Sequence, residues 1–195
     1  MTGADRNLRG DAPTSSDALV LCDLLSTFDF PAARKITARL ELLAPTLQAL
    51  RARADRAGVP VVYVNDNVGA WRSERSVVLS ALDEPHSKFP AALRSLLPRD
   101  DDYFILKPKH SAFFGTPLAS LLRHLETKRV VLCGMATDIC VLFTAHDAYL
   151  EGLDLVVPVD GVASVASKPH AMALELMRRA LKARTPKCRS IRWRR

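Results

Sequence analysis

Short, continuous apolar runs alternate along this chain with longer segments of helical pattern, and that alternation limits the possible folds more than any other feature. The runs VVYV, RVVLC and LDLVVPV show no polar alternation, as expected of strands covered on both faces. Strands are expected over Ala18 to Asp23, Pro60 to Asn65, Tyr103 to Lys107, Arg129 to Cys133 and Asp154 to Val159, with a weaker one over Cys188 to Trp193. Helices are expected over Ala32 to Ala57 (interrupted at Pro45), Ala91 to Leu97, Pro117 to Glu126, Thr137 to Glu151 and Pro169 to Arg184. Such alternation predicts an α/β fold with a mostly parallel sheet. The 195 residues suit one domain over residues 16–195, behind a disordered polar tail over residues 1–15. The stretch Asp66 to Ser87 is less regular and reads as a loop beside a site.

Composition narrows the function classes. No apolar run nears the roughly 20 residues that cross a bilayer. The opening MTGADRNLRGDAPTSSD lacks the apolar centre of a secretory signal, so a cytoplasmic location is the expectation. The four cysteines form no CxxC pair and have no histidine at zinc-finger spacing, so free thiols are expected. Cys22 and Cys133 sit in apolar runs and read as small core residues. The net charge of +7 is a property of the C-terminal end: from Arg178 onward there are nine basic and no acidic residues, leaving 19 basic against 21 acidic before them. No nucleic-acid module accompanies that charge, so a nucleic-acid partner is not expected.

Chemistry concentrates at strand ends. Asp23 ends the first strand, Lys107 ends the third, and Gly134 follows the fourth. In parallel sheets, sites form beyond the carboxyl ends of strands, so these distant residues can converge. In VVLCGMATDICVLFTAHDAYLEG a glycine turn leads into a helix expected to start near Thr137, which puts Cys140 in its first turn. The dipole there favours a thiolate, and a lowered thiol pKa is the expectation. An aspartate in reach can take the thiol proton and return it to a leaving amine, and a lysine beside it holds the carboxylate ionised. Backbone N–H groups of the turn before Cys140 suit a developing oxyanion.

The segments LCDLLSTFDF, KPKHSAFFGTPL and GMATDICVLFTAHDAYLEGLDLVVPVDGVAS, in that order, resemble the isochorismatase-like cysteine hydrolases. That family carries an Asp followed five residues later by Phe, then K-x-x-x-S-A-F, then G-x-x-T-x-x-C-V with a following T-A-x-D-A. Asp23 and Phe28 match the first pattern, and Lys107 with Ser111, Ala112 and Phe113 the second. Gly134, Thr137, Cys140, Val141, Thr144, Ala145, Asp147 and Ala148 match the third. The likeness runs from about Val20 to Ser167.

The resemblance implies a Rossmann-like three-layer α/β/α sandwich with a six-stranded parallel sheet. It implies Asp23 as base, Lys107 as its partner and Cys140 as nucleophile. It also implies a cis Met135–Ala136 bond and an oxyanion hole of the Ala136 and Cys140 N–H groups. Phe28, Trp71 and Phe113 are the candidate pocket residues. His110 stands beside the lysine motif, but the family uses aspartate where a Cys–His pair would use histidine. The nicotinamidase branch carries an Asp-x-His pair and a further histidine after the second strand. Here that stretch reads NDNVGAW, so no metal and no cofactor are expected. The expected activity is thus metal-independent hydrolysis of an amide or ureido C–N bond in a small molecule, through a thioester. Isochorismatase-type enol-ether hydrolysis and a non-catalytic small-molecule-binding role are the alternatives. A homodimer or homotetramer is also implied.

Overall fold

A computed structural model describes residues 12–31 and 33–194. Residues 1–11 of the expected tail, and Ala32 at the expected start of the first helix, lie outside the described residues. Thr14 and Ser15, which the sequence places in that tail, are held instead: their hydroxyls donate to the carbonyls of Gly58 and Arg194.

The strands are β1 (Asp17–Cys22), β2 (Val61–Asp66), β3 (Tyr103–Lys107), β4 (Arg129–Met135), β5 (Asp154–Val156) and β6 (Val162–Ala163). All pair in parallel, in the order β3-β2-β1-β4-β5, and β6 joins β4 beyond the end of β5. Every residue of β1 is buried: Leu19 and Leu21 face one core, Ala18, Val20 and Cys22 the other. One face is covered by α1 (Ala33–Arg56) and a 3₁₀ turn over Ala91–Leu96. The other is covered by α3 (Leu118–His124), α4 (Leu142–Leu150) and α5 (Ser167–Ala180). This is the expected three-layer α/β/α sandwich. Among the described residues, no helix is long and apolar enough to cross a membrane.

Four expectations need correction. Helix α1 runs through Pro45 without a break. Pro45 lies on the exposed face, while Leu40, Ala44, Leu47 and Leu50 carry one buried stripe past it, and that packing outweighs one missing hydrogen bond. The Asp66 to Ser87 stretch contains a short helix, α2 (Arg75–Ala81). The 91–96 segment is 3₁₀ rather than α. Finally, Cys188–Ser190 is a 3₁₀ turn, and the sixth strand is Val162–Ala163. Side chains take the backbone groups a ladder would need: Asp160 accepts the Cys188 N–H at 2.6 Å, and Arg53 donates to the Cys188 carbonyl at 2.7 Å. In the basic C-terminal stretch, Arg194 is held by acidic partners. The Arg194 N–H reaches Asp17 at 2.7 Å and its guanidinium reaches Asp154 at 2.8 Å. Asp17 in turn forms a buried two-pronged pair with Arg129.

The chain builds β1, β2 and β3 outward in one direction and then returns to place β4 on the other side of β1. The direction of winding therefore reverses between β1 and β4, where a crevice opens in such sheets. Cys22 pairs with Gly134 across that line. Gly134 has φ 118°, and a Cβ on it would lie 2.0 Å from the Cys22 carbonyl oxygen. Only glycine permits both the conformation and the approach. Gly134→Ala should therefore cost about 3 kcal/mol or more in urea unfolding, and a midpoint like that of the unaltered protein would show that this contact is not tight.

Candidate active site

Three strand ends meet at the crevice. Asp23 directly follows β1 at φ 52°, in the left-handed region that aspartate tolerates better than most residues. Its N–H is held by the Val64 carbonyl at 2.9 Å, and its Oδ1 accepts the Asp66 N–H at 2.8 Å. Lys107 closes β3 and is fully buried. Its Nζ lies 3.0 Å from Asp23 Oδ2, 3.4 Å from Asp66 Oδ2 and 3.5 Å from Cys140 Sγ. Asp23 Oδ2 and Cys140 Sγ share Lys107 as a neighbour, and the Cys22 thiol donates to Asp23 Oδ2 at 3.6 Å. The structure thus gathers Asp23, Lys107 and Cys140, and adds Asp66.

The motif residues around these groups have a mechanical role in the fold. Ser111 donates to Asp147 at 2.5 Å, and the Ala112 N–H donates to Thr144 Oγ1 at 3.0 Å, which ties the loop after Lys107 to α4. Thr137 Oγ1 contacts His170 Nδ1 of α5 at 2.9 Å, and Ser164 donates to Asp138. These anchors fix the turn that carries Cys140 from both flanks.

That turn is not the start of an α-helix. Thr137–Val141 forms one π turn, with the Val141 N–H on the Ala136 carbonyl at 3.1 Å, and α4 begins only at Leu142. The Met135–Ala136 peptide bond before it is cis. The expected lowering of the thiol pKa is also overturned. Burial, reinforced by the Asp23 carboxylate, pushes the Cys140 thiol up to about 12, against the pull of Lys107. Burial likewise raises Asp23 above the ordinary carboxylate range, though Lys107 opposes it. Burial works against the Lys107 charge, yet Asp23, Cys22 and Cys140 together hold its ammonium above the usual lysine value. These directions favour a protonated Cys140 thiol beside the Lys107 ammonium.

A cavity of about 670 Å³ opens over Cys140, Asp23 and Asp66. Its walls are mainly apolar, with Leu25, Phe30, Ile36, Val78 and Leu82 among them. The three aromatic residues expected to line it do not. Phe28 is fully buried and stacks on Phe89, with ring centroids 6.4 Å apart. Trp71 is 79% exposed and Phe113 packs into the opposite core. Phe30 takes the aromatic place in the wall, and His110 lines the cavity with its ring against Phe143. Sequence reasoning misses Asp66 and Phe30, although Asp66 ends β2 as Lys107 ends β3, and that placement is the available signal. A metal does not suit the donor set. The second residue after Asp66 is Val68, and among the described residues no three His, Cys, Asp or Glu side chains stand in ligating reach.

The Isochorismatase domain family matches residues 17–185. This chain belongs to the isochorismatase family. An uncharacterised isochorismatase family protein of Bacillus subtilis is 33% identical over 84% of this chain and 90% of its own length. Among solved structures, a nicotinamidase from Staphylococcus aureus superposes with a TM-score of 0.69 at 26% identity, covering 88% of this chain and 98% of that one. An N-carbamoylsarcosine amidase from Thermoplasma acidophilum gives a TM-score of 0.66 at 27% identity, covering 90% and 98%. The chain is thus an isochorismatase-family hydrolase. In this hydrolase Cys22, Cys133 and Cys188 are buried and Cys140 is the accessible thiol. Iodoacetamide should therefore modify Cys140 first in the folded protein, and its rate should climb continuously from about pH 7 to pH 10 as thiolate forms. A rate already level at pH 7, followed by peptide mass spectrometry, would show a resting thiolate instead.

Proposed function

We propose that this hydrolase cleaves the C–N bond of a small amide or ureido compound through a Cys140 thioester, without a metal. The observation that carries the reading is the single Lys107 ammonium within 3.5 Å of both Asp23 and Cys140, which themselves line an apolar cavity. Asp23, its basicity raised by burial, takes the Cys140 proton as the sulfur attacks the carbonyl carbon. The Ala136 and Cys140 N–H groups receive the oxyanion. As the tetrahedral adduct collapses, the C–N bond breaks and Asp23 returns the proton to the departing nitrogen. Water, deprotonated by Asp23, then cleaves the thioester to the acid and restores the thiol. Lys107 keeps Asp23 ionised and oriented throughout.

Cavity charge favours this reading over enol-ether hydrolysis of isochorismate, which carries two carboxylates. Asp23 and Asp66 make the cavity wall acidic, and no Lys or Arg is among its described lining residues. A dianion would enter that wall with nothing to compensate its lost hydration.

Replacement of Cys140 by Ala should abolish ammonia release from a panel of small amides, and activity surviving in that variant would sink the proposal. Asp23→Asn should lower kcat by about 10²–10⁴-fold while leaving the fold intact by circular dichroism. The acid limb of kcat/KM should reflect Asp23. Its raised pKa means the base is lost by protonation on acidification, so the limb should lie above the ordinary carboxylate value of about 4.

A further inference from the structure

We propose that Asp66 selects substrates that carry a positively charged N–H group a few bonds from the carbonyl under attack, an inference that rests on the hydrolase reading above. Asp66 is the last residue of β2 and lines the cavity. One ammonium, Lys107, stands between two carboxylates, 3.0 Å from Asp23 and 3.4 Å from Asp66. With Cys140 held as a thiol, one negative charge is left over, and no Lys or Arg is among the described lining residues. The two carboxylates are not equally open. The Asp23 side chain is 10% exposed and the Asp66 side chain 40%, so Asp66 is the one that faces an incoming molecule.

Asp66 Oδ2 and Cys140 Sγ both lie within 3.5 Å of Lys107 Nζ, so the recognised cation and the attacked carbonyl are close neighbours in the substrate. Leu25, Phe30, Ile36, Val78 and Leu82 leave an apolar wall for the remaining body. The substrate class is an amide with a protonated amine one or two carbons from its carbonyl and an apolar substituent.

The test uses a matched pair, 3-amino-3-phenylpropanamide and 3-phenylbutanamide, in which an ammonium replaces a methyl group. Binding to the full-length Cys140→Ala protein is measured by calorimetry, and hydrolysis by the unaltered protein as ammonia release. The cationic amide should bind at least about tenfold more tightly, as charge-assisted hydrogen bonds allow, and Asp66→Asn should collapse that ratio towards one. Equal binding of the pair, or a ratio kept in the Asp66→Asn protein, would overturn the inference. So would a preference that vanishes with a chelator and returns with added zinc, because Asp66 would then serve a metal. Preferential binding without turnover of either amide would leave the selectivity standing and sink the hydrolase reading instead.

Discussion

The Lys107 ammonium organises this molecule's site because it is a fully buried charge that must be paired. Its partners come from the ends of two other strands, Asp23 after β1 and Asp66 at the end of β2. Removing one carboxylate would still leave the buried cation a partner, whereas removing both would leave it uncompensated, which is far more costly than never burying it. The register of three strands is thereby coupled to the geometry of one charge cluster. Asp66 pairs with Lys107 across β2 and β3, and Cys22, the residue before Asp23, pairs with Val64.

The sulfur joins that cluster through backbone shape. Gly134 lets β4 approach β1 at the point where winding reverses. A π turn then sets Cys140 above Lys107. Ser111 with Asp147, Ala112 with Thr144, and Thr137 with His170 hold the two sides of this arrangement. These contacts hold the segments that carry Lys107 and Cys140 in place.

The protonation pattern follows from burial. Burial, reinforced by Asp23, raises the Cys140 thiol to about 12, and burial raises the Asp23 carboxyl as well. Charge placed in the cavity by a substrate would shift that balance, and the acidic character of the wall gives cations the easier entry.

The strands were legible in the sequence, because residues buried on both faces must be continuously apolar. So were Asp23, Lys107 and Cys140, because each stands at or just past the carboxyl end of a strand and within one of three ordered motifs. The cavity wall was not. Phe28, Trp71 and Phe113 look alike as aromatic residues near a motif, yet one is core, one is solvent-exposed and one faces the opposite layer. Nor was the sixth strand, since Cys188 to Trp193 has strand composition but finds its backbone partners in Asp160 and Arg53. Local pattern decides which segments are strands and which carry reactive groups. Tertiary packing alone decides which side chains share a cavity and which way their pKa values shift, because burial and charge pairing arise only when distant segments meet.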